Sequence, residues 1–249
     1  LCHTSYEEGT DMNLYKLELM KIKLSTYLWA IFGIFMSLLA LGILFLFIFQ
    51  IETGRSGTSE EELFANWNGL LALTTTLSFA FFSVLSAVIA TKVIISEYCG
   101  RNVIILLSYP VNRKTILRTK CLIVSGITTI SAFISNMLVI GIMYISAHIF
   151  KIMPQMNTKY FVFTVFLSSF FMSILSSAVG IISTAFGWKK HSSVSTIVCS
   201  LIIVCTLANC ITISLSSIIW VMFVISAVFV IIANFIYHIL ENGIEKMEV

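Results

Sequence analysis

Three observations predict an all-α membrane protein with six transmembrane helices. The first is composition. Of the 249 residues, 58% are hydrophobic and 11% are charged, whereas soluble globular domains carry about 25% charged residues. The second is length. A span takes roughly 20 apolar residues, so the chain accommodates about six with short connections. The third is distribution. The charges fall in brief clusters between long apolar runs, and no polar segment is large enough for a soluble domain. The formal net charge of +3 is small, so placement of the charges carries more information than their sum.

The chain opens on Leu1–Asp11, a polar segment without an apolar run. Residues 1–11 are expected to be non-native or disordered lead sequence, with the natural start at Met12, and 12–249 to form a single six-span domain. Asn13–Leu24 places Leu14, Leu17, Met20 and Leu24 near one helical face and lets Lys16, Lys21 and Lys23 reach headgroups. That pattern predicts a short amphipathic helix on the membrane surface, in preference to a plain basic lead. Leu28–Ile51 is uncharged and forms the first span. Glu52–Asn66 is an acidic loop loosened by Gly54, Gly57 and Ser59. The second apolar run extends from Trp67 to about Ile95.

A hydrophilic stretch follows, from Lys92 to Lys120. It holds Lys92, Arg101, Arg113, Lys114, Arg118 and Lys120, six of the fifteen basic residues. Set between two apolar runs, it is expected outside the lipid. Cys121–Phe150 is the third span, Lys151–Lys159 a short loop with Pro154, and Tyr160–Trp188 the fourth span. Lys189, Lys190 and His191 make a tight basic turn. Val194–Leu240 has room for two more spans, turning near Ser214–Ser217. Within it, Cys210–Ser217 reads either as a half-helix re-entering the membrane or as a polar turn. Glu241–Val249 is a short charged tail.

Basic residues near span ends predict orientation. With the amino terminus inside, the inner side receives Lys16, Lys21, Lys23, Lys92, Arg101, Arg113, Lys114, Arg118, Lys120, Lys189, Lys190 and Lys246. The outer side receives Arg55, Lys151 and Lys159. Twelve against three puts both termini and the central stretch in the cytoplasm.

Several functions are disfavoured by what the spans lack. They carry no Asp, Glu, Lys or Arg away from their ends, and proton-driven transporters use such groups. His148 and His238 sit near span ends, where an interfacial role is expected. No TVGYG-like filter, Walker A motif, HExxH or Ser/His/Asp arrangement appears. Cys2, Cys99, Cys121, Cys199, Cys205 and Cys210 have no metal-ligand spacing and read as packing residues. The spans are instead rich in hydroxyl and small residues. Thr74, Thr75, Thr76, Ser78, Ser83 and Ser86 mark the second. Ser169, Ser173 and Ser177 recur every fourth residue in the fourth, joined by Ser176 and Gly180. Close helix packing is the expected role, with a polar substrate path as the alternative. Asn136, Asn209 and Asn234 are costly to expose to lipid, and each is expected to face another helix.

The central stretch resembles the cytoplasmic loop of ATP-binding-cassette type-2 permeases, the membrane halves of bacterial ABC exporters. The resemblance rests on Glu97-Tyr98, then an apolar turn at Val103–Leu107, then Leu106-Leu107-Ser108-Tyr109-Pro110-Val111-Asn112-Arg113, and then Lys120 opening a span. The amphipathic start and the six-span layout extend it over nearly all the chain from Met12. Departures are Arg101 and Asn102 where the family often has Gly-Thr, and Ile104 where it is often polar. The resemblance implies a cytoplasmic coupling helix between spans two and three, ending before the helix-breaking Pro110. The residues expected to dock an ATPase are Glu97, Tyr98, Arg101, Val103, Ile104, Ile105, Leu106, Leu107, Pro110 and Arg113. Arg113, Lys114, Arg118 and Lys120 are also expected to anchor the loop at the membrane surface.

The resemblance further implies a non-enzymatic transport subunit in a bacterial cell membrane. ATP and Mg would be held by two separate ATPase chains and not by this one. The other partners would be a second permease copy or paralogue and membrane lipid, with no nucleic acid. Within the family the chain looks like the permeases that protect bacteria from antimicrobial peptides such as lantibiotics or bacitracin. The alternatives are export of a drug, ion or lipid-linked precursor, and a non-transporting scaffold or sensor.

Overall fold

The structure, a computed structural model, describes residues 24–53, 67–95, 113–150, 158–190, 192–217 and 219–245. Among these residues it is helical throughout and has no strand. The helices are α1 (Leu24–Thr53), α2 (Trp67–Ala90), α3 (Arg113–Ile149), α4 (Thr158–Lys190), α5 (Ser193–Ser217) and α6 (Ile219–Glu245), with a π-helical turn, Thr91–Ile95, extending α2. Hydrocarbon offers no water to backbone groups, so a spanning segment has to satisfy its own N–H and C=O groups, and a helix does so internally. The only prolines, Pro110 and Pro154, lie outside all six helices. Each helix contains a segment long and apolar enough to cross a membrane.

The expected spans are all present, with shifted ends. The largest shift is in α3. It starts at Arg113 rather than Cys121, and its span runs from Thr115 to Ile149. Arg113–Lys120 is therefore the first two helical turns of α3, and the candidate span opens within it at Thr115. Cys210–Ser217 continues α5 without a break, so the re-entrant half-helix reading gives way to a helix end followed directly by α6. The amphipathic segment Asn13–Leu24 and the lead 1–11 lie outside the described residues, save Leu24, which opens α1.

α4 is central. It packs on α2, α3, α5 and α6, while α2 packs on α3, α4 and α5. α1 rests only on α2 and α3 among the well-contacted pairs. Burial follows: within the most apolar 18 residues of each span, 72% are buried in α2 and 67% in α4, against 17% in α1 and in α6. One apolar cluster joins α1, α2 and α3 through Leu38, Phe82, Ile89, Ile140 and Met143. A second joins α2, α4, α5 and α6 through Phe79, Leu175, Val179, Ile211 and Met222.

Hydroxyl residues make the tight seams, as the packing reading expects. Most bond back to their own helix, for example Thr75 Oγ1 to Leu71 O at 2.6 Å and Ser176 Oγ to Ser173 O at 2.8 Å. This hides the hydroxyl and leaves a small surface. A Cβ on Gly180 would lie 2.6 Å from Ser86 Cβ, so α2 and α4 approach as closely as glycine permits. At Gly187 a Cβ would overlap Thr196 of α5. Asn136 bridges α3 to α4 by donating from Nδ2 to Ser169 Oγ at 2.8 Å. Of the three asparagines expected to face helices, only Asn136 is buried. Asn209 and Asn234 are exposed on α5 and α6, because those two helices are covered on one side only.

Candidate functional site: the base of the central loop

The loop 96–112 is held at both ends by described residues. Its entry is the π-helical turn at the end of α2, and its exit is the start of α3. A π turn inserts one extra residue per turn and recurs at functional sites. Here it opens on Thr91, whose Oγ1 donates to Ala87 O at 2.7 Å. Val93, Ile94 and Ile95 are buried, and Lys92 is exposed. The turn thus drives three successive apolar side chains into the bundle. Ile94 meets Leu117, Cys121 and Val124 of α3 and Ile181 and Thr184 of α4 around a small gap. Ile95 reaches Gly187 of α4 close to Thr196 of α5. Four helices therefore converge at the loop's base.

The α3 side has a matching face. Ile116, Leu117, Thr119, Lys120, Ile123 and Val124 are buried, while Arg118 and Leu122 are exposed. Lys120 is 0% exposed, and its Nζ donates to Val93 O at 3.5 Å. The bond is long and is one of the interactions of Lys120 rather than all of them. It ties the loop's exit to its entry. A π turn has carbonyls displaced from the regular helical ladder, and a buried ammonium needs acceptors, so each supplies what the other lacks.

The expectation that Lys120 anchors the loop at headgroup level is corrected by this burial. The helical period held the signal: Lys120 falls on the stripe Ile116, Leu117, Ile123 and Val124, at the i, i+3, i+4 and i+7 spacing of one helix face. Arg118, two residues earlier, is off that stripe and exposed. The expected docking residues Glu97, Tyr98, Arg101, Val103, Ile104, Ile105, Leu106, Leu107 and Pro110 lie outside the described residues. Arg113 opens α3, and its side chain lies outside them too.

Among the described residues no group of three or more His, Cys, Asp or Glu is placed to hold a metal. Cys121, Cys199, Cys205 and Cys210 are free. His148 is exposed at the end of α3, and His238 Nδ1 lies 3.4 Å from Glu241 Oε2 near the end of α6. The π turn, the buried Lys120 and the convergence of α2, α3, α4 and α5 join the two ends of the central loop to the bundle.

The family described as ABC-2 family transporter protein matches residues 14–206, which takes in α1 to α4, most of α5 and the whole central loop. An uncharacterized protein of Bacillus subtilis strain 168, YcbO, is 26% identical over 195 residues, covering 78% of this chain and 82% of that protein. No solved structure matches the chain.

Proposed function

The chain belongs to the ABC-2 transporter family, and on that premise we propose that it is the permease subunit of an ATP-driven exporter whose motor docks on the loop 96–112. Family members are membrane components of transport, not enzymes, and work with ABC ATPase partners. The observation that carries the reading is the clamped base of the loop. Lys120 joins the two ends, and Val93, Ile94 and Ile95 set the π-helical entry of the loop against α3, α4 and α5. A loop tied this way transmits displacement to the whole bundle instead of absorbing it.

In this reading the apolar turn Val103–Leu107 inserts into a groove on the ATPase, Glu97, Tyr98 and Arg101 edge the contact, and Pro110 and Arg113 set its exit. ATP and Mg are held by two ATPase chains. When these close on ATP, the two-state bundle shifts between access states. The amino and carboxyl termini lie in the cytoplasm of a bacterial cell. Two permeases pair, and exposed Thr206 and Asn209 on α5 are polar groups that a second copy would remove from lipid. The cargo is an antimicrobial peptide or another hydrophobic solute taken from the membrane. Support for this is the resemblance of the start Asn13–Lys23 to permeases that remove such peptides.

The test is to purify the protein with its ATPase and measure ATP hydrolysis stimulated by candidate peptides. Ile105→Asp with Leu106→Asp is expected to abolish ATPase co-purification and stimulated hydrolysis while membrane insertion stays normal. Normal binding and transport in that variant would sink the docking assignment. Undiminished peptide resistance in cells lacking the protein, beside an intact ATPase, would remove the peptide cargo and leave the exporter.

A further inference from the structure

α3 and α6 both pack on α4 and barely touch each other. Between them lies a cavity of about 650 Å³, floored by Ile174, Ser177, Ala178 and Ile181 of α4. Small side chains on all three helices open it: Ser125, Ser177, Ala178 and Ala233. Its lips are apolar and outward-facing, with Leu122 54% and Ile231 67% exposed. It therefore opens sideways, toward lipid.

The cavity has a polar end and an apolar end. Arg118 of α3 and Glu241 of α6 stand at the end nearer the central loop, at the margins of the spans Thr115–Ile149 and Val221–Glu241. Arg118 makes no ion pair among the described residues, Glu241 included, and Glu241 faces His238 at 3.4 Å. Asn234, exposed on α6, lies about two turns deeper than Glu241 on the same wall. Val230, Ile231 and Ile174 line the far end. From Val230 to Glu241 the α6 wall rises about 16 Å at 1.5 Å per residue, close to half of the roughly 30 Å hydrocarbon thickness. The slot is one leaflet deep.

We propose that this cavity binds a zwitterionic aminophospholipid from the leaflet on the loop side of the membrane. Its phosphate pairs with Arg118, its ammonium with Glu241, and one acyl chain lies along Leu122, Val230 and Ile231. A cation and an anion on opposite walls match a head that carries both charges. A purely anionic head would leave Glu241 opposed, and a soluble phosphate would leave the leaflet-deep apolar walls unfilled. The site is separate from the loop's docking surface and does not depend on the ATPase reading.

The experiment is native mass spectrometry and lipid extraction of the full chain purified from vesicles of equal phosphatidylethanolamine and phosphatidylglycerol. Wild type is expected to retain the ethanolamine lipid in excess. Arg118→Ala is expected to lower its retention about tenfold, as for a lost charge-assisted bond. Glu241→Gln is expected to move the balance toward phosphatidylglycerol. Asn234→Phe, a substitution at an exposed lip that leaves the fold intact, is expected to block both lipids. Equal retention of the two lipids by wild type overturns the zwitterion assignment. Wild-type retention by both Arg118→Ala and Asn234→Phe overturns the site.

Discussion

α1 and α2 are neighbouring spans of the same chain with opposite surroundings. The most apolar 18 residues of α1 have a mean hydropathy of 2.8 and are 17% buried, while those of α2 have 2.0 and are 72% buried. The more apolar helix is the more exposed one. Trp29 and Phe32 of α1 are 73% and 49% exposed, whereas Ser83 and Ser86 of α2 are fully buried. Lipid is as apolar as leucine, so helix association gains nothing from hydrophobicity itself. Close approach and matched polar groups decide which face turns inward. In this protein Ser86 over Gly180, Thr196 over Gly187 and Asn136 on Ser169 do so.

The widest separation between the two regions is expected from one substitution made in each. A Cβ at Gly33 of α1 meets nothing within 4 Å, but one at Gly180 would meet Ser86 at the contact that spaces α2 from α4. Gly180→Ala is expected to destabilise by about 1–3 kcal/mol, as overpacking does. Gly33→Ala is expected to stabilise by about 0.5–1 kcal/mol through helix propensity. Thermal unfolding in detergent reads both, and the same sign for both would break the contrast. A smaller loss is expected at the loop base. Lys120→Met removes the bond to the Val93 carbonyl and is expected to cost about 1–2 kcal/mol. It is also expected to weaken peptide-stimulated ATP hydrolysis more than ATPase binding, because the partner's surface is untouched. Equal loss of both would place Lys120 in general folding instead of transmission. The smallest effect is expected at Asn136→Leu, about 0.6 kcal/mol, the average for hydrogen bonds between membrane helices. A loss several-fold larger would show that the α3–α4 seam is polar by necessity.

The contrast also explains what was legible. Span number and approximate position follow from long apolar runs, since any such run in lipid has to be helical. The Ser recurrence at fourth positions in α4 marks an inward face, where Ser169 meets Asn136 of α3, Ser173 is buried and Ser177 floors the cavity beside α6. Lys120 was misassigned by its charge although the periodicity of its neighbours placed it inward. Asn209 and Asn234 meet no other helix within this chain, because helix coverage is a tertiary property. Their helices have a single packed side, and no local pattern says which side.

Composition and charge placement by themselves determined a six-span helical chain, and the order Glu97, Pro110, Arg113 and Lys120 pointed to the ABC-2 family. These are local facts: lipid dictates helices, and the loop motif is contiguous. Only the tertiary structure decided that α4 is the centre, that α1 and α6 are peripheral, and that Lys120 ties the two ends of the loop. It alone opened a leaflet-deep cavity between α3 and α6. Such features depend on which helices approach closely, and that is set by a few glycine, serine and asparagine contacts between residues such as Ser86 and Gly180, far apart in sequence.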